Sequence, residues 1–319
     1  MSSLSKLIRN ENMKIYMRPR TWIMIGFLLL TVALLSGLMN WEASRNPSTD
    51  WEQSLTEDNN RMQQELQNNQ DLHENQKADM TEQIKLNAYY LEQGINPKEP
   101  TLWDYVDISS NLIILVTILT VIIAADMIAA EFSWGTIKLL LVGPASRTKI
   151  MVSKYIATMG FALLLLLLCF GSAFAAGGIL EGFDGINQPL LSVSESGIVQ
   201  QSPMILDILP KYGFAVISLI MYVTMAFMIS SAFRSSSMAI AFSLLFMLVG
   251  NSVTMLLSSY SWVKYLLFAN IELSRYMEGG ASPIRPEMTL SFSILMLVIY
   301  YLAFQFIAWL LFTKRDVAA

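Results

Sequence analysis

Six uninterrupted apolar stretches, at residues 21–39, 108–130, 155–176, 214–233, 238–257 and 288–312, constrain this chain more than anything else in it. Each is close to the roughly 20 residues that a helix needs to cross a hydrocarbon layer. Backbone amides in lipid must be satisfied within their own segment, so continuous apolar runs of this length read as helices. A barrel would show alternation in segments of about 10 residues. Only 14% of the 319 residues are charged, against about 25% in a soluble domain, and the mean hydropathy is +0.47. The expected fold is an all-α polytopic membrane protein. The first stretch does not read as a cleaved signal peptide. Its basic leader is long, its apolar run is full length, and Asn40-Trp41-Glu42-Ala43-Ser44 lacks a small-x-small site.

Orientation follows from the basic residues. Twelve of the 21 Lys and Arg fall in the 55 residues of segments 1–20, 131–154, 234–237 and 313–319. The other 9 are spread over the 135 residues of 40–107, 177–213 and 258–287. Cytoplasmic loops are the ones enriched in Lys and Arg, so both termini are expected inside, which agrees with an even number of spans. The net charge of −4 hides two populations, because 14 of the 25 acids lie in 40–107. The expected location is the plasma membrane, with lipid as a partner, and nothing in the charge suggests nucleic acid.

Between the spans, residues 1–20 carry Leu4, Leu7, Ile8 and Ile15 at helical spacing among Lys6, Arg9 and Lys14, the pattern of an interfacial helix. Segment 40–107 is polar. Stripes at Met62 and Leu66, then at Met80, Ile84 and Leu91 with Asn87 interrupting, suggest a helical extracellular insertion that Gly94-Ile95-Asn96-Pro97 ends; a polar linker is the other reading. Segment 177–213, with Gly177-Gly178, Gly182, Gly185, Pro189 and Pro203, is expected to be irregular. Segment 258–287 carries Tyr260, Trp262, Tyr265 and Phe268, which suits an aromatic belt or short re-entrant helices.

The loop at 131–154 has the most specific pattern. Gly135 breaks the preceding helix, and Thr136 can cap a new one. The apolar Ile137–Val142 run is about two turns long, and Gly143-Pro144 ends it. Ser146 can cap the helix of the third span, with Arg147, Lys149 and Lys154 at the inner boundary. A short apolar helix held between two breaks suits contact with another protein or with the interface.

In order and spacing, Asp126, Ala129, Glu131, Gly135, Thr136, Leu139, Leu140, Pro144, Ser146, Arg147 and Lys154 resemble the permease subunits of ABC-2 type transporters. The leader Asn10-Glu11…Lys14…Arg18…Arg20 is similar too. The resemblance implies that the loop couples the permease to a separate ABC ATPase subunit, where ATP and Mg bind. It also implies a second permease copy or paralogue, a substrate path lined by spans two and five, and export as the usual direction. The long insertion at 40–107 departs from the family, so no substrate is carried over.

Asp126, the single charge inside a span, is expected to pair with Arg or Lys of the leader or loop, with an unpaired interfacial acid as the plain alternative. Glu131 can accept from the amides at 135–137 or pair with Arg147. Arg147 and Lys154 also suit any inner-leaflet boundary. Thr117 and Thr120 share a face, and Asn251 is the most polar side chain of its span. All three are candidates for the translocation path or for helix contacts. Gly171/Ala175 and Ala239/Ser243 have small-xxx-small spacing. The single Cys169 and single His73 leave no disulfide framework and no Cys/His zinc site. No Gly-x-x-x-x-Gly-Lys-Ser/Thr occurs, so the chain is expected to bind no nucleotide by that route and no cofactor of its own. An intramembrane enzyme would need a catalytic pair, a His-Glu-x-x-His or a Gly-x-Ser-x-Gly turn, and none is found. A sensor or scaffold using 40–107 as its receptor surface is the alternative reading.

Overall fold

In the computed structural model, residues 3–45, 50–69, 74–97, 99–142, 145–187, 189–193, 198–277 and 281–314 are described. The helices are, in chain order, α1 (Leu4–Tyr16), α2 (Pro19–Arg45), α3 (Trp51–Asn68), α4 (Glu74–Gln93), α5 (Leu102–Ser110), α6 (Ile113–Ser133), α7 (Ile137–Val142) and α8 (Arg147–Leu180). After the strands β1 (Pro189–Val193) and β2 (Val199–Pro203) come α9 (Ile205–Ala232), α10 (Ser236–Leu256), α11 (Leu267–Asn270) and α12 (Leu290–Lys314). Six of them, α2, α6, α8, α9, α10 and α12, are long and apolar enough to cross a membrane. This is an all-α polytopic membrane protein, in which the described residues add one two-stranded hairpin.

Several boundaries differ from the sequence expectation. The stretch 108–130 is not one helix: residues up to Ser110 belong to α5, a turn follows, and α6 starts at Ile113. The helix of 155–176 reaches back to Arg147 and on to Leu180, 34 residues in all. Polar residues can continue a helix beyond lipid, and an apolar count does not see them. The expected irregular loop 177–213 holds the hairpin, with Pro189 opposite Pro203 and Leu191 opposite Gln201.

The chain divides into two compact units. The first comprises Met1–Thr31, Ser110–Phe170 and Pro210–Ala319. Its centre is α6, apolar on all sides and buried along most of its length from Val116 to Glu131, as such a helix must be. α10 packs along α6, and the Ser230 hydroxyl of α9 accepts from the Ile128 and Ala129 amides at 3.0 and 3.1 Å. α12 is little buried and exposes Leu295, Val298 and Leu302, the surface of a lipid-facing helix. The joint between α1 and α2 is tightly made. Pro19 opens α2, where a missing amide costs nothing. The Thr21 hydroxyl and the Trp22 indole donate to the Ile15 and Tyr16 carbonyls, which lie at the end of α1. Between α10 and α12 the chain forms α11 and short 3-10 turns. There Asn270 donates to the Lys264 and Leu266 carbonyls and accepts from Ser293.

The second unit comprises Val32–Ser109 and Gly171–Leu209. Here α3 and α4 pack together, and the Asn87 that interrupts the apolar stripe is the cross-helix contact. Its amide donates to the Asn59 side chain at 2.9 Å, and both residues are buried. At the start of α5 the Asp104 carboxylate accepts from both the Thr101 amide and the Thr101 hydroxyl, one half of a capping box. The Tyr105 hydroxyl donates to Glu181 at 2.7 Å, and burial together with that carboxylate pushes the phenol pKa well up. Trp103 donates to the Ile186 carbonyl and stands edge-on to Phe174.

A Cβ on Gly177 would meet the Leu102 carbonyl oxygen at 2.8 Å and the Leu102 Cα at 3.0 Å. By contrast, a Cβ at Gly171, the small residue singled out by spacing, has nothing within 4 Å. Gly177→Ala is therefore expected to destabilise the protein by about 1–3 kcal/mol, because backbone has to move. Gly171→Ala should be neutral or up to about 1 kcal/mol stabilising through helix propensity. Thermal unfolding followed by circular dichroism of the two variants checks the contrast.

Candidate functional site

The last turns of α6 carry two acids five residues apart, which at 3.6 residues per turn point about 140° from one another. Each therefore faces different neighbours within the first unit. Burial of a carboxylate there is tolerable only with cationic partners and hydrogen bonds.

Glu131 faces α8 and α1. The Lys154 ammonium, on a side chain only 1% exposed, lies 2.8 Å from Glu131 and 2.7 Å from Glu11. Lys14 bridges the same two carboxylates at 2.9 and 3.2 Å. Two lysines and two glutamates thus form a closed quartet with no net charge. Burial pulls the Lys14 pKa down, but Glu131 and Glu11 outweigh it and hold the ammonium above the usual lysine range. The Thr136 hydroxyl donates to the other Glu131 oxygen. Thr136 was expected to cap α7 by accepting from its amides. A carboxylate within reach is the stronger partner for a hydroxyl.

Asp126 faces α10 and the α1–α2 turn. Its Oδ2 pairs with Arg18 at 2.6 Å and with Arg20, and its Oδ1 accepts from the Ser236 hydroxyl. Arg18 stacks on Trp134, 4.4 Å from the ring centroid. The Arg20 Nε is buried with no hydrogen-bond partner among the described residues. Ser133 ties the same corner to the turn before α10, donating to the Arg234 carbonyl and accepting from the Ser236 amide.

Gly135, at φ +71°, turns the chain from α6 into α7. Ile137 is buried beneath α7, while Leu139 and Val142 are 79% and 88% exposed. Trp134 is exposed beside them. The side chain of Leu140 and the whole of Pro144 lie outside the described residues, as does His73. Ser146 caps α8 by accepting from the Lys149 amide at 3.4 Å.

The structure thus gathers Asp126, Glu131, Gly135, Thr136 and Lys154 of the sequence candidates around one corner. Arg147 does not meet Glu131; it donates to the Thr313 carbonyl at the end of α12. The Thr117 and Thr120 hydroxyls donate to the Ile113 and Val116 carbonyls of their own helix. Asn251 is half-buried in α10. The expected pairing of Asp126 with a cation of the leader is made by Arg18 and Arg20, whereas sequence reasoning did not place Glu11, Lys14 and Ser236 in the site. Glu11 carried a signal: it is the single acid of a leader with five bases, and it sits on the apolar stripe between Ile8 and Ile15. Among the described residues no group of His, Cys, Asp and Glu is arranged to hold a metal ion.

The profile of a protein family of unknown function, DUF2705, matches residues 73–318. The chain is 38% identical over 316 residues to the uncharacterized protein YhcI of Bacillus subtilis (strain 168), a match that covers 98% of this chain and 99% of that one. It is 29% identical over 215 residues to the uncharacterized membrane protein YdbK of the same organism, covering 67% of this chain and 82% of the other.

Removing the quartet's central cation leaves two buried carboxylates to share Lys14, with one negative charge uncompensated. Lys154→Met is expected to cost about 3–5 kcal/mol, and adding Glu11→Gln and Glu131→Gln to it should restore part of the loss. Arg147→Gln, which loses the bond to the Thr313 carbonyl but leaves the quartet intact, should cost less, about 1–3 kcal/mol. Thermal unfolding in detergent ranks the three variants.

Proposed function

This chain belongs to the DUF2705 family, and we propose that it is the membrane-spanning permease subunit of an ABC-2 type transporter. In this reading it sits in the plasma membrane with both termini in the cytoplasm, and 40–107 is an extracellular helical insertion. A separate ATPase subunit binds ATP and Mg and powers transport, and a second permease copy or paralogue completes the path. Export is the direction the resemblance implies. The density of Lys and Arg in segments 1–20, 131–154, 234–237 and 313–319 supports the orientation.

The single observation that carries the proposal is α7. This two-turn helix turns its apolar Leu139 and Val142 outward while its root is anchored by Ile137, Thr136 and Glu131. Exposed apolar side chains on an anchored helix suit an apolar cleft on a partner protein. A push on α7 passes through Thr136 to Glu131, and from there to Lys154 of α8 and to Glu11 and Lys14 of α1. Because Lys154 and its two carboxylates are buried and mutually satisfied, the elements move together as a rigid body. Asp126 couples the same end of α6 to α10 through Ser236.

A membrane sensor or scaffold is the second reading. The buried Asn59–Asn87 pair favours it, since it makes α3 and α4 a specific packed element.

Purification of the full chain in mild detergent separates the two readings. An ABC ATPase is expected to copurify, and Leu139→Asp with Val142→Asp should reduce its recovery at least about tenfold without changing thermal unfolding. Absence of an ATPase from the wild-type complex, or unchanged recovery with the double variant, contradicts the transporter reading and leaves the sensor.

A further inference from the structure

We infer that the turn between α1 and α2 binds an anionic phospholipid, its phosphate held by Arg18 and Arg20 beside Trp134 and an acyl chain lying along α2. Two guanidiniums share one oxygen of Asp126, whose other oxygen Ser236 occupies. The trio therefore carries one positive charge in excess. Each guanidinium has five N–H donors, and among the described residues one from each reaches the carboxylate. The charge is also polarised. Asp126 is buried, whereas the Arg18 and Arg20 side chains are 23% and 34% exposed. Planar guanidinium forks match phosphate oxygens in geometry as well as in charge.

What surrounds these donors is apolar and aromatic. Met17, Trp22 and Trp134 are exposed around the turn, and tryptophan favours the boundary between headgroups and hydrocarbon. Immediately beyond Arg20, Ile23, Phe27 and Leu30 follow at i, i+4 and i+7 on one face of α2, all more than half exposed. A cationic site that runs straight into an apolar stripe fits a ligand with a phosphate at one end and a hydrocarbon chain at the other. A soluble anion would use only the first half and an acidic protein segment would leave the second bare. The inference rests on the membrane-spanning character of the chain and not on an ATPase partner.

Native mass spectrometry of the purified full chain, titrated with phosphatidylglycerol or phosphatidylcholine, tests it. The wild type should prefer phosphatidylglycerol by about fivefold or more, the effect of about one cation at a membrane surface. R20Q should abolish the preference, while K6Q with R9Q, which removes exposed cations away from the turn, should keep it. I23S with F27S, which leaves every ion pair in place, should weaken retention of phosphatidylglycerol about tenfold through lost apolar contact, and this readout stands even where R20Q fails to fold. Inorganic phosphate at the same concentration should not displace the lipid. Equal binding of the two lipids, a preference that survives in folded R20Q or disappears equally in K6Q with R9Q, unchanged retention in I23S with F27S, or displacement by inorganic phosphate each overturns the assignment.

Discussion

The ammonium of Lys154 is cut off from water, and the carboxylates of Glu11 and Glu131 stand within 2.8 Å of it. Those carboxylates are themselves buried and need their cations in return, which Lys154 and Lys14 supply. This mutual requirement joins three segments far apart in sequence: the leader helix α1, the end of α6 and the start of α8. None of the three can shift alone without exposing a charge to an apolar surrounding, a cost of several kcal/mol per ion. The quartet is thus a constraint on arrangement more than a source of net stability.

From that constraint the rest of the corner follows. With Glu131 fixed, its second oxygen holds Thr136, and Gly135 directs α7 away from α6 with its apolar side chains outward. With the leader fixed, Arg18 and Arg20 reach Asp126, which Ser236 shares from α10. Five elements meet around two acids of one helix. The proposed coupling role uses that convergence, because motion imposed on α7 has no independent path.

The six spanning helices were legible in the sequence because apolar runs of that length admit no other structure in lipid. Their ends were less so. α8 continues through Arg147, Lys149 and Lys154, residues that mark a boundary of polarity and not of helix. The turn at 111–112 divides α5 from α6 inside one apolar stretch. Asn87 reads as a flaw in a narrow stripe until Asn59 is set opposite it. In the corner, the leader was legible as a source of cations for Asp126, but the partners of Glu131 were not. Pairing of Glu131 with Lys154 in preference to Arg147 depends on how α8 and α12 lie, which spacing along the chain does not encode. Glu11 was the readable clue, an acid set among Leu4, Leu7, Ile8 and Ile15, where a solvated charge has no reason to be.

A double-mutant cycle on Glu11 and Lys154 tests the central claim most directly, since these residues are 143 apart in the sequence and share no backbone. Stabilities of the wild type, Glu11→Gln, Lys154→Met and the double variant, measured in one detergent, give their interaction energy. A coupling of about 2 kcal/mol or more is predicted for a desolvated ion pair within one network. Additivity to within about 0.5 kcal/mol would contradict the account, because the leader would then be held to the bundle by something other than these charges.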